Sequence, residues 1–127
     1  MLFRSELVIA MAISLLRHVP QSSMELRAGG WTQKPGRRLE GRTVGIIGCG
    51  HVGKELATLL SGFGCRILAH DVRDYPDFYV RHSIAAVGLE TLLRDSDIVT
   101  LHVPLDRSTA GLLGSARLAL KIGRAHV

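Results

Sequence analysis

The stretch Arg42-Thr-Val-Gly-Ile-Ile-Gly-Cys-Gly-His-Val-Gly-Lys-Glu-Leu-Ala57 decides the reading of this chain. Its apolar run, Val44 to Ile47, has the length of a strand and ends in Gly48-x-Gly50-x-x-Gly53. Apolar residues then recur at Val52, Leu56, Leu59, Leu60 and Phe63, the spacing of a helix with one buried face. A strand, a tight glycine turn and a helix in that order suit a dinucleotide. Gly48 permits the sharp turn, Gly50 lets a diphosphate approach the backbone, and Gly53 lets the helix pack close to the strand. Free N–H groups at the helix start, aided by the helix dipole, would hold the diphosphate.

The glycine pattern alone is a weak signal, and its surroundings strengthen it. A second apolar run, Cys65 to His70, ends in Asp71, 18 residues past Gly53. That is close to the roughly 20-residue offset of a ribose-binding carboxylate. The alternative is a glycine-rich turn in another α/β domain, with Asp71 capping a loop.

The chain has 127 residues, 46% of them hydrophobic, which predicts at most one domain with a core of its own. The formal charge is +5. Much of the excess lies in a connecting stretch, where Arg27, Lys34, Arg37, Arg38 and Arg42 face only Glu25 and Glu40. The stretch reads as a basic linker rather than a groove with interleaved aromatics, so no nucleic-acid partner is expected. Cys49 and Cys65 have no metal-site spacing. Two reduced cysteines fit a cytoplasmic protein.

Leu7 to Leu16 is apolar and follows Arg4, so it could pass for a secretion signal. Glu6 interrupts its start, and Arg17 and His18 follow where small residues would be needed. It is too short to span a bilayer. The pattern predicts a buried or interface helix ended by Pro20. Gln21 to Glu40, with Gly29, Gly30, Pro35 and Gly36, reads as an irregular surface connection, anchored to the domain by Trp31. Beyond Asp71, a turn at Pro76 and a helical turn at Phe78–Val80 precede a weak third strand, Ile84 to Val87. A short helix, Leu89 to Leu93, leads to a β-branched fourth strand, Ile98 to Val103, which Pro104 stops. Leu112 to Leu120 can form a further helix. Alternating strands and helices predict an α/β fold with a parallel sheet and right-handed crossovers.

Both ends look foreign. Ile122-Gly-Arg-Ala-His-Val127 resembles one reading frame of a short-read sequencing adapter, and Met1-Leu-Phe-Arg-Ser5 resembles its reverse complement. Residues 1–5 and 122–127 are therefore expected to be adapter-derived scars. The natural part divides into 6–40, a linking helix and connection, and 41–121, a partial cofactor domain.

Leu39 to Gly53 and Leu92 to Leu113 resemble the cofactor domain of the D-isomer-specific 2-hydroxyacid dehydrogenases. Glu6 to Arg17 and the segment Arg27 to Trp31 resemble that family's linking helix and Arg-x-Gly-x-Trp segment. The resemblance covers essentially all of residues 6–121. It implies an incomplete Rossmann-type parallel sheet with flanking helices, preceded by the apolar linking helix, with NAD as cofactor. It also implies site residues. Gly48, Gly50 and Gly53 would form the turn, with the His51 and Val52 amides on the diphosphate. Asp71 would accept both ribose hydroxyls. His102, Val103 and Pro104 would line the adenosine side, with Thr109 near the cofactor. No catalytic group is expected among these. The family's catalytic histidine, its partner acid and its substrate-binding arginine would fall beyond Lys121, so the chain alone is expected to be inactive. His102, for all its position, would be a cofactor-lining residue or a plain strand-end residue.

The resemblance implies hydride transfer between NAD and a 2-hydroxy acid or 2-keto acid pair, in a cytoplasmic homodimer joined through the Leu7–Leu16 helix. No membrane partner is expected. Two other readings share the fold: a corepressor-like protein that uses NAD as an assembly ligand, and an adenosylhomocysteinase-like NAD domain. The latter should fail to match at Leu101–Leu105 and Thr109–Leu113.

Overall fold

The computed structural model describes residues 2–103 and 110–119, and its chain alternates helices and strands. Two helices lead: α1 (Leu2–Arg17) and α2 (Val19–Arg27). Then follow β1 (Thr43–Ile47), α3 (His51–Gly62), β2 (Arg66–His70), α4 (Pro76–Arg81), β3 (Ala85–Ala86), α5 (Leu89–Asp95), β4 (Ile98–Leu101) and α6 (Ser115–Leu118). The four strands form one sheet in the order β3-β2-β1-β4, every neighbouring pair parallel. The expected α/β parallel sheet is therefore present. In register, Ile46 faces Ala69 on β2 and Thr100 on β4.

Side chains alternate across this sheet and build two apolar layers. Val44 and Ile46 of β1, Ile67 and Ala69 of β2, and Ile98 of β4 join Leu56, Ala57 and Leu60 of α3 and Ile9, Ala12 and Leu16 of α1. Ile47, Leu68 and Val99 point the other way, onto Leu89, Leu92 and Leu93 of α5. Gly45 lies between those layers. A Cβ there would collide with the Leu92 and Ser96 side chains, so α5 rests directly on the β1 backbone. That glycine is a packing requirement outside the turn motif.

The leading segment departs from expectation in three ways. The first helix starts well before Leu7 and includes residues 2–5. It ends at Arg17, before His18, whose φ of 56° lies in the left-handed region. Pro20 does not stop a helix there. It sits in the first turn of α2, where its missing N–H costs nothing and its fixed φ favours helix entry. Nor is Trp31 an anchor: it is 87% exposed. What tethers the connection is the Arg37 N–H donating to Leu16 O at 3.0 Å and an ion pair between Lys34 and Glu25. Of α1, one face is buried on α3 while Leu7, Met11 and Leu15 are exposed.

Gly45→Ala should lower stability by about 1–3 kcal/mol, because the added methyl overfills the β1–α5 contact. A urea denaturation midpoint unchanged by this substitution would show that α5 does not rest on β1 as described.

Candidate functional site

In a sheet ordered β3-β2-β1-β4, the chain winds outward in opposite directions from β1. The crevice beyond the carboxyl ends of β1 and β4 is where open α/β sheets take ligands. The glycine turn stands at that point. Gly48 has φ 91°, a left-handed value that favours glycine, and its N–H donates to His70 O at 2.8 Å. On the opposite side, His102 N–H donates to Ile47 O at 2.7 Å. A Cβ on Gly48 would strike the His102 backbone and the Val103 side chain. The end of β4 is thus pressed against the turn.

The three glycines are required for different reasons. A Cβ on Gly53 would strike Gly48 O, and the Ile46 side chain would be next nearest, so the closest approach is of helix to turn. Gly50 differs from both: a Cβ there would meet nothing within 4 Å. Among the described residues no packing accounts for a glycine at 50, and the space beside it is open. Helix α3 begins at His51 with no side-chain cap from Gly50. The first N–H groups of a helix lack intrahelical partners, and here they face a cavity of about 520 Å³. Its lining includes Gly50, His51, Val52, Gly53, His102 and Val103. Arg4, Leu7 and Val8 of α1 close another side. The Ser5 hydroxyl reaches Val52 O at 3.4 Å, which joins α1 to the start of α3.

Asp71 follows β2 and turns back toward the glycine turn. Its Oδ2 accepts the Cys49 N–H at 2.6 Å and its Oδ1 the Arg73 N–H at 3.0 Å. A carboxylate has about four acceptor positions, so two remain for a diol. Beside it, Arg73, Tyr79 and Val87 help line a further cavity of about 280 Å³. Beneath it, burial raises the Cys49 thiol above its usual range and raises the Tyr79 hydroxyl to about 12. Both are protonated at neutral pH. His102 is half-buried, and its Nε2 lies 2.8 Å from the Thr100 hydroxyl. Burial lowers its pKa.

The structure thus brings together Gly48, Gly50, His51, Val52, Gly53, Asp71, His102 and Val103. Pro104 and Thr109 lie outside the described residues. Sequence reasoning missed Lys54, whose ammonium donates to Cys49 O at 2.9 Å and sits 3.2 Å from the centre of the Tyr75 ring. Three aromatic residues shortly after the acid, Tyr75, Phe78 and Tyr79, were the available signal. Among the described residues no His, Cys, Asp and Glu group could hold a metal, and no helix is long and apolar enough to cross a membrane.

The family model described as the NAD binding domain of D-isomer specific 2-hydroxyacid dehydrogenases matches residues 9–125. Hydroxypyruvate reductase of Thermotoga maritima is 34% identical over 118 residues, which is 91% of this chain and 37% of that protein. D-3-phosphoglycerate dehydrogenase 1 of Saccharomyces cerevisiae is 36% identical over 125 residues, 97% of this chain and 26% of that protein. The apo-structure of D-lactate dehydrogenase from Escherichia coli superposes with a TM-score of 0.87 at 30% identity, covering 96% of this chain and 39% of that one. The chain therefore spans well under half the length of each of these relatives.

Two stability measurements check the site. Gly53→Ala should lower the denaturation midpoint, since its methyl meets backbone, whereas Gly50→Ala should leave it nearly unchanged. Equal effects would contradict the division of roles. For His102, the neutral form is favoured in the fold, so its contribution is present above the ordinary histidine value of about 6.5. It is lost as pH falls through the lowered folded value. His102→Gln should flatten that part of the stability profile between pH 7.5 and 5.

Proposed function

Since the chain belongs to the D-isomer-specific 2-hydroxyacid dehydrogenase family, as part of its NAD-binding domain, we propose that it positions NAD for hydride transfer between a 2-hydroxy acid and its 2-keto acid. The observation that carries this reading is the open space at Gly50, at an uncapped helix start and one residue past the Cys49 N–H that donates to the Asp71 carboxylate. Backbone N–H groups of His51 and Val52 would bind the diphosphate, favoured by the helix dipole. The two remaining acceptor positions of Asp71 would take the ribose hydroxyls. The half-buried His102 and Val103, with Pro104 and Thr109, would border the adenosine. NAD supplies the hydride chemistry, and the residues named here bind and orient it.

The relatives include a hydroxypyruvate reductase, a D-3-phosphoglycerate dehydrogenase and a D-lactate dehydrogenase. A small 2-hydroxy or 2-keto acid is accordingly the proposed substrate of the whole protein. In that protein a histidine beyond Lys121 would take the hydroxyl proton and an arginine would hold the carboxylate. His102 would not, because it faces the cofactor turn. The 127-residue chain alone would be inactive, since nothing among its described residues holds the substrate in register with the nicotinamide. The exposed apolar face of α1, with Leu7, Met11 and Leu15, supports a homodimer through that helix. The free thiols Cys49 and Cys65 support a cytoplasmic setting.

NAD should bind more tightly than NADP, because a 2′-phosphate would both repel Asp71 and remove one of its hydrogen bonds. Arg73, which lines the same cavity as Asp71, would oppose this by accommodating the phosphate. Asp71→Ala should weaken NAD about tenfold or more. Calorimetry showing equal or tighter NADP binding would overturn the ribose assignment. NADH absorbance followed with a panel of 2-keto acids should show no turnover by the 127-residue chain. Turnover above background would contradict the inactivity of the chain and require a catalytic role to be considered for His102.

A further inference from the structure

We propose that Lys54 is a positioning residue for the cofactor turn, acting with Tyr75 as a latch between the glycine turn and the segment that follows Asp71. The proposal rests on the cofactor reading above. Lys54 is the first residue after the third glycine, on α3. Its ammonium reaches back to donate a hydrogen bond to Cys49 O at 2.9 Å. The same ammonium lies over the Tyr75 ring, 3.2 Å from its centre, with the Phe78 ring centre at 5.8 Å. Tyr75 stands four residues after Asp71 and immediately before α4, edge-on to the buried Tyr79. One half-buried cation therefore ties together three separate pieces of chain: α3, the turn, and the loop that carries the acid.

The consequence for the turn follows from peptide geometry. The carbonyl of Cys49 and the N–H of Gly50 belong to one planar trans peptide and point in opposite directions. Drawing Cys49 O toward Lys54 fixes the direction of the Gly50 N–H. The neighbouring peptide is fixed separately, by the Cys49 N–H donating to Asp71 Oδ2 at 2.6 Å. Both peptides between Gly48 and Gly50 are thus set by side chains that do not themselves border the open face of Gly50. A charged donor on a carbonyl is stronger than a neutral one. The aromatic face holds the ammonium without competing for that carbonyl. A flexible lysine held at both points has lost its freedom before a ligand arrives, which is preorganisation.

The test uses the 127-residue chain with Lys54→Met, Lys54→Arg, Tyr75→Leu and Tyr75→Phe. Calorimetry reads NAD binding, hydrogen exchange reads the Cys49 and Gly50 amides, and a thermal melt reads the fold. Lys54→Met should raise the Kd for NAD about tenfold, the scale of one lost charge-assisted hydrogen bond, and speed exchange at Cys49 and Gly50. Lys54→Arg and Tyr75→Phe should bind NAD close to the original chain, while Tyr75→Leu should weaken it. A purely structural lysine would move the melt without this pattern of rescue. Unchanged NAD binding in a folded Lys54→Met chain overturns the latch. So does a Lys54→Arg chain that binds as poorly as Lys54→Met. If Lys54→Met fails to fold, the Tyr75→Leu and Tyr75→Phe pair decides on the same criterion. If the unsubstituted chain does not bind NAD, the cofactor reading fails on its own. The latch then stands or falls on whether exchange at Cys49 and Gly50 speeds up in Lys54→Met.

Discussion

The end of β1 is held from both sides. Gly48 N–H donates to His70 O of β2, and Ile47 O accepts the His102 N–H at the end of β4. At that pinned point the chain must reverse into a helix, and Gly48 does so with φ 91° while the His102 backbone closes over it. Gly53 must then pass Gly48 O with no side chain between. These two close approaches place the start of α3 at the crevice between β1 and β4 and leave its N–H groups facing outward. Everything proposed about the site depends on that placement. The acid, the lysine latch and the strand-end histidine are arranged around a turn that cannot move without breaking the sheet.

The elements with a continuous apolar run or a helical apolar spacing were plain in the sequence. β1 and β4 are short apolar runs bounded by glycine or acidic residues, and α3 carries its apolar residues at helical spacing. The site backbone was legible for the same reason. Fixed offsets between glycines and Asp71 encode the path from strand to helix to strand. Other features were hidden because they depend on partners distant in sequence. Gly45 reads as an ordinary strand residue until α5 is laid on it. Pro20 reads as a stop in sequence, although proline in a first turn equally marks a start, and the left-handed His18 decides between the two. Trp31 reads as a packing residue by type alone, and it lies exposed. Lys54 passes for a solvated helix charge until Tyr75 and Cys49 are seen around it.

Two surfaces carry more apolar area than their surroundings explain. One is the outer face of α1, where Leu7, Met11 and Leu15 are exposed opposite the buried Ile9, Ala12 and Leu16. The other is β4, which has a single neighbour in the described sheet and exposes Leu101 at its end. An apolar edge strand is a template for further pairing. Both surfaces fit a chain that spans well under half the length of its relatives. The turn and the acid come from one continuous strand–helix–strand unit, and the end of β4 and the Leu7 side of α1 complete the cavity around them.

The most direct measurement is a residue-resolved NMR titration of the 127-residue chain with NAD. The account predicts that the backbone amides of Gly50, His51, Val52 and Gly53 shift first, together with Asp71 and His102, while α2 and the Gln33–Arg38 connection stay unmoved. Shifts confined to α1, α2 or the connection, or no saturable shift at the glycine turn, would contradict the claim that this turn and Asp71 form the NAD site.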